Sequence, residues 1–298
     1  MNVDDRRQAA LDSLEGLSTG DAFGERFFVP DTRARAAMEE RCLPDPPWHW
    51  TDDTNMALSV VEVLLRDGSV DQDALARSFA RRYDPRRGYG AAMHALLRRI
   101  AGGWAWAEVA RGQFGGEGSY GNGAAMRVAP LGAWFSDDLG AAAGQAERSA
   151  VVTHAHPEGV AGAVAVAVAA ALSRRSRGAP PPDPAAFLEE VRAWVPAGAV
   201  ADGLGAAAGL GARTSVARAV SVLGNGSEVS AQDTVPFALW CASRGLDDFE
   251  AAAWETVSGL GDRDTTCAIV GGVVGARVGT PGIPPLWRER REPLPPVV

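Results

Sequence analysis

Trp50-Thr51-Asp52-Asp53-Thr54 runs directly into apolar residues at Ala57, Val60, Val61, Leu64 and Leu65, the i, i+3, i+4, i+7, i+8 spacing of one buried helical face. A second cluster of the same make, Gly261-Asp262-Arg263-Asp264-Thr265, precedes another helical run. Both clusters therefore sit at helix N-termini. There Asp and Thr accept hydrogen bonds from the first free N–H groups, and negative charge suits the positive end of the helix dipole. One cap needs one side chain, however, and two adjacent carboxylates plus a hydroxyl repel one another unless a cation lies between them. Hard oxygen donors of this kind select Mg²⁺, Mn²⁺ or Ca²⁺. Capping and a divalent-metal site are both open readings of the spacing.

The chain has 298 residues, enough to bury a core in one large domain or two average ones. The acidic clusters lie near opposite ends and would have to meet to share an ion, and no linker separates them, so a single domain is expected. A formal charge of −8 argues against non-specific nucleic-acid binding, which needs a basic footprint. All the cations are arginine, in a background rich in Ala and Gly that reads as GC-rich codon bias and carries no function. Cys42, Cys241 and Cys267 are scattered without Cys-x-x-Cys spacing, which points to a reduced, cytoplasmic protein. Met1 leads into Asp4, Asp5, Arg6 and Arg7 rather than the apolar core of a secretory signal. The longest apolar run, Gly159 to Leu172, falls short of the roughly 20 residues of a membrane span and reads as a buried helix.

Helical patterns fill the rest. The first carries Ala10, Leu11, Leu14 and Leu17 on one face, with Gly16 and Gly20 offering close approach, and ends in Gly20-Asp21-Ala22-Phe23-Gly24-Glu25. A loop with Pro30 and the prolines from Pro44 to Pro47 leads to His49-Trp50. Helices are expected over 74–83, 91–100, 139–152, 185–194, 216–222, 233–243 and 249–257, and the proline-rich tail from Thr280 is expected to be extended. Period-2 runs joined by tight turns are missing from the pattern, so the expected class is all-α.

The glycine-dense loop Phe114-Gly115-Gly116-Glu117-Gly118-Ser119-Tyr120-Gly121-Asn122-Gly123 can present successive N–H groups as an anion-binding nest, and only Gly lets a phosphate approach the main chain so closely. It lacks the Lys-Ser/Thr ending of a Walker loop and a βαβ setting, and a plain loop is the other reading. His154 and His156 are spaced like metal ligands, but no Cys or third His accompanies them. A buried, hydrogen-bonded histidine or a substrate contact is the better reading than zinc. Trp50, Asp84 and Tyr89 read as packed aromatics and a cap.

Together, GDAFG at Gly20 to Gly24, WTDDT at Trp50 to Thr54, GSYGNGAAMR at Gly118 to Arg127, THAHPEG at Thr153 to Gly159 and GDRDT at Gly261 to Thr265 resemble the ADP-ribosylhydrolase (ADP-ribosylglycohydrolase) family over nearly the whole chain. DPRRGYGA at Asp84 to Ala91 is most similar to its serine-directed, poly(ADP-ribose)-degrading branch. The resemblance implies a single compact orthogonal all-α domain over residues 1–279, with a C-terminal tail over 280–298. It implies two Mg²⁺ (or Mn²⁺) held by Thr51, Asp52, Asp53, Asp262, Asp264 and Thr265, with Asp53 also in the catalytic set. It places Gly118, Ser119, Tyr120, Gly121, Asn122 and His154 about the diphosphate and its ribose, Gly88 and Gly90 by the distal ribose, and Phe114 on the adenine. The activity implied is metal-dependent hydrolysis at ribose C1″ of ADP-ribose conjugates by a monomer, without nucleic-acid or membrane partners. The family branch has its metal-linked glutamate where this chain has Phe27 and Phe28, which leaves Glu25 as the carboxylate for acid/base work. The alternative is a catalytically reduced ADP-ribose-binding module or toxin-immunity protein.

Overall fold

Gly16, Gly20 and Gly24 recur every fourth residue, and in the computed structural model, which describes residues 1–297, they form one stripe of the first helix, Val3–Glu25. The stripe faces the helix Arg263–Val278 in antiparallel order. A Cβ on Gly16 would stand 2.9 Å from Gly275 Cα, one on Gly20 2.8 Å from the Cys267 carbonyl carbon, and one on Gly24 2.8 Å from Asp264 Cα. The two helices therefore touch backbone to backbone, a separation that any side chain would open. The consequence is positional: the C-terminal end of the first helix lies against the N-terminal end of the other, and Asp21 comes beside Asp264.

The expected helix after the first acidic cluster spans Asp52–Asp67. Its buried face carries Ala57, Val60, Val61 and Leu64, with Leu65 half-buried, and it packs on the first helix. Each such Val or Leu taken out of water contributes roughly 1.5–3 kcal/mol before chain entropy is set against it. The Ala/Val-rich run forms the helix Pro157–Arg175, the one helix among the described residues long and apolar enough to cross a membrane; 78 % of its apolar window is buried inside the domain.

Sixteen α-helices and three short 3₁₀ turns make up the regular structure of the described residues; only two isolated bridges, Trp48 with Arg291 and Gly121 with Ser230, have strand character. The expected helices stand at Gln72–Arg82, Ala91–Ala101, Leu139–Ala150, Pro184–Arg192, Val216–Leu223, Ala231–Arg244 and Phe249–Val257. Four more, Asp31–Glu39, Trp106–Arg111, Ala129–Trp134 and Ala199–Ala208, fall where no apolar period was visible. The tail is not extended throughout: Pro285–Arg290 is helical and drives Trp287 into an aromatic cluster with Phe23, Trp48 and Trp254, the Phe23 and Trp287 rings stacking at 4.3 Å. Phe27 joins the cluster against Phe23 at 5.0 Å. The end of the first helix is thus anchored by aromatic packing just past its acidic residues.

Candidate functional site

Asp21 sits one turn before Glu25 and is wholly buried. Its donors come from the start of the Asp52–Asp67 helix: the Thr51 N–H at 2.9 Å, the Thr51 hydroxyl at 2.9 Å, the Thr54 N–H at 3.1 Å, and the Thr54 hydroxyl. Asp21 therefore caps that helix from a different one. The Asp52 N–H donates to the Arg87 carbonyl at 2.7 Å, and the Asp53 N–H to Thr51 Oγ1 at 3.4 Å. With the first three free N–H groups satisfied in this way, capping does not account for the carboxylates of Asp52 and Asp53.

What remains is charge. One carboxylate oxygen from each of Asp21, Asp53 and Asp264 lies within 4.8 Å of the others. Asp53 Oδ1 is buried without any hydrogen-bond partner. Thr51 Oγ1 is 2.9 Å from Asp21 and 2.8 Å from Asp53, yet has one proton to give. Burial, then the negative charge of neighbouring aspartates, pushes the carboxyls of Asp53 and Asp264 well above the carboxylate range. The same causes raise Asp52 to about 8, and burial raises Asp21 to about 6 against the pull of its threonine donors. Buried like charges at this range persist where a cation or proton neutralises them, and a donor set made wholly of oxygen suits a hard divalent ion.

The six expected ligands divide around this trio. Asp53 and Asp264 belong to it. Thr51, Asp52, Asp262 and Thr265 line the cleft on either side, with Asp262 at the N-cap of the Arg263–Val278 helix and the Thr265 N–H donating to Asp264 at 2.9 Å. The third place is taken by Asp21, which is absent from the expected set although it lies inside the GDAFG motif. Its signal was a carboxylate set among close-packing glycines with no partner nearby in sequence. Glu25 is half-buried and its carboxyl is raised by burial and then by Asp21. Phe27 is locked in the aromatic core, whereas Phe28 lies on the cleft wall beside Glu25.

The cleft has two arms. The outer one, about 770 Å³, runs between Glu25, Phe28, Trp50, Asp84, Arg87 and Glu292. The inner one, about 570 Å³, is walled by Gly88 and Gly90 on one side and by Phe114, Ser119 to Asn122 and His154 on the other. They join at Gly88, Asp262 and Asp264. Gly88 adopts φ 86° there, a conformation glycine takes without strain, and a Cβ on it would meet only Asp52 Oδ1, at 3.8 Å.

His154 is buried beneath the glycine loop: a Cβ on Gly123 would come within 2.8 Å of its ring. Its Nδ1 pairs with the Thr153 hydroxyl at 2.7 Å, and burial, then Arg127, lowers its pKa to about 3, so the ring is neutral. His156 instead caps the Pro157–Arg175 helix, its Nδ1 accepting from the Glu158 N–H at 3.1 Å. The two imidazoles thus serve separate structural tasks. Asn122 donates to Asp262 at 2.7 Å and to Thr234 at 3.0 Å, tying the glycine loop to the second acidic cluster. At the rim Phe114 and Tyr120 are 59 % and 45 % exposed with ring centroids 6.3 Å apart. Glu228 and Val229 add a wall that the sequence did not suggest, from a loop joined to the glycine loop through the bridge of Gly121 with Ser230.

An all-helical domain whose cleft runs from a carboxylate cluster able to hold a metal to a glycine-rich, aromatic-rimmed cradle defines the class. Residues 2–295 match the model of the ADP-ribosylglycohydrolase family, and the chain belongs to that family. It is similar to the human protein "ADP-ribosylhydrolase ARH3", 29 % identical over 94 % of this chain and 88 % of that one. It is also similar to an uncharacterized protein of Archaeoglobus fulgidus, 32 % identical over 92 % of this chain and 88 % of that one. Among solved structures it resembles one described as "ADP-ribosylglycohydrolase-related protein complex", with 27 % identity and a TM-score of 0.65 over 97 % of this chain and 94 % of the other.

Proposed function

We propose that the protein is a metal-dependent hydrolase that cleaves the C1″ linkage of ADP-ribose conjugates. The observation that carries this reading is the buried Asp53 Oδ1 left without a partner inside three converging carboxylates, next to a glycine-lined cradle. The residues fit divalent cations, with Asp21, Asp53 and Asp264 at the centre and Thr51, Asp52, Asp262 and Thr265 around them. Bound Mg²⁺ or Mn²⁺ supplies Lewis-acid charge that balances the carboxylates and orients sugar hydroxyls.

The chain's own groups do the rest. N–H groups of the Gly118 to Gly123 loop take the diphosphate, over a His154 that stays neutral and shapes the loop from beneath. Phe114 and Tyr120 hold the adenine at the rim between aromatic faces. Gly88 lets the distal ribose lie close to the main chain where the arms join. Glu25, on the outer arm, faces the side from which the leaving group departs. With its proton affinity raised by burial, it moves a proton between the attacking water and the leaving atom as oxocarbenium character develops at C1″.

The test is release of ADP-ribose, followed by mass spectrometry, from serine- and arginine-ADP-ribosylated peptides and from O-acetyl-ADP-ribose, with Mg²⁺ and with EDTA. Metal-dependent release from any one of them supports the hydrolase. No release, with ADP-ribose still raising the melting temperature, replaces it with a binding module.

A further inference from the structure

The C-terminal segment contributes to the site from the far end of the chain. The Trp48 N–H donates to the Arg290 carbonyl at 2.7 Å and the Glu292 N–H to the Trp48 carbonyl at 2.8 Å, so this short stretch is stitched beside the residues that lead into Trp50-Thr51-Asp52. Buried Trp287 anchors it. The Glu292 carboxylate then grips Arg87 with both oxygens, at 2.7 and 2.8 Å, and approaches His49 Nδ1 at 3.1 Å.

Arg87 in turn is held by Trp50 as well as by Glu292. Its guanidinium lies 3.4 Å over the Trp50 ring and donates to the Trp50 carbonyl at 2.8 Å, while its own carbonyl accepts the Asp52 N–H at 2.7 Å. Planar stacking with a two-point carboxylate pairing is the most directional hold an arginine can be given. Next in sequence is Gly88, where the two arms of the cleft join. We infer that Glu292 is a positioning residue of the active centre: through Arg87 it fixes where Asp52 and Gly88 stand, so the tail sets the geometry of the junction. Glu292 neutralises the guanidinium and takes two of its N–H donors, with a third on the Trp50 carbonyl, which casts Arg87 as a brace.

This inference rests on the hydrolase reading, and its test reads the brace directly as well as through turnover. Amide hydrogen exchange is measured on peptides covering 50–56 and 84–92 in wild type, Glu292→Ala, Glu292→Gln and Arg87→Met, together with kcat/KM across a Mg²⁺ titration. Glu292→Ala is expected to speed exchange in both peptides at least tenfold, to lower kcat/KM about tenfold, and to raise the Mg²⁺ concentration for half-maximal rate severalfold. Glu292→Gln, which keeps shape but loses charge, should fall between. The double variant with Arg87→Met should be no worse than either single one, because the two act through one contact. Unchanged exchange, or faster exchange with wild-type kcat/KM and Mg²⁺ dependence, overturns the inference. If wild type releases ADP-ribose from no conjugate, the hydrolase reading fails by itself. Glu292 is then judged on calorimetric ADP-ribose binding, where a tenfold weaker Kd in Glu292→Ala upholds the brace and an unchanged one removes it.

Discussion

The two acidic helix starts look alike in sequence and are held in opposite ways. At Trp50 to Thr54 the Thr54 and Asp52 N–H groups are served from outside, by Asp21 and by the Arg87 carbonyl, and the Asp53 N–H by Thr51, which leaves the Asp52 and Asp53 carboxylates in a crowded, buried position. At Gly261 to Thr265 Asp262 and Asp264 are half-buried, and Asp262 is tied to the glycine loop through Asn122. The crowding is shared through Asp264, and the second start alone is tied to the glycine loop, by Asn122 on Asp262. A carboxylate becomes available for chemistry when some other group has taken over its structural task.

Removing charge at either start should be most damaging. Asp53→Asn and Asp264→Asn are each expected to lower kcat/KM by about 10²–10³, the loss typical of deleting one electrostatic partner in a closed site, with the helical CD signal unchanged. Turnover within a few-fold of wild type for either one would show that the two clusters do not form one centre. Glu25→Gln should come next, slowing hydrolysis about 10²-fold, as for a lost proton-transfer group, while ADP-ribose affinity holds. Equal losses in rate and affinity would make Glu25 a binding residue.

The helix pair that joins the two starts offers a structural handle. Gly24→Ala puts a methyl against the Asp264 backbone and is expected to cost about 1–3 kcal/mol by overpacking, read by thermal or denaturant unfolding. An unaltered midpoint would mean that the helices can part without penalty.

The charge crowding shared by the two starts is read by pH. In EDTA, Asp21 and Asp52 have pKa values raised to about 6 and about 8, above the ordinary unfolded value. A carboxyl raised on folding contributes stability that is fully present below its unfolded pKa of about 4 and is lost as pH rises through the folded value. The metal-free chain should therefore melt higher at pH 5 than at pH 8.5, and saturating Mg²⁺ should shrink the gap. A flat profile in EDTA would contradict charge crowding among these aspartates.

Periodicity exposed the helices that bury one face, because an apolar stripe against polar flanks is what burial on one side selects. It passed over Asp31–Glu39, in which Ala34 alone is buried, and Ala129–Trp134, buried throughout and therefore without a stripe. Asp53 and Asp264 could be read as site residues because each announces itself by local crowding. Asp21 could not, because its meaning lies in Thr51 and Thr54, some thirty positions on, and in a helix near the other end of the chain. Gly16 and Gly20 did hint at close approach, but nothing local named Gly271 and Gly275 as the surface they would meet.

The glycine-to-glycine seam has a consequence for how the molecule is made. Its two strips, Gly16 with Gly20 and Gly271 with Gly275, stand about 250 residues apart in the sequence, so the first is synthesised long before the second. Contacts of such separation form slowly, because the entropy of closing the loop is lost before they reward it. On the ribosome the first helix must wait with its bare glycine strip uncovered, and Asp21 and Asp53 lack their third companion until Asp264 has been made. A product that stops short of Asp264 therefore lacks the third carboxylate of the centre, which is completed only when these two helices meet.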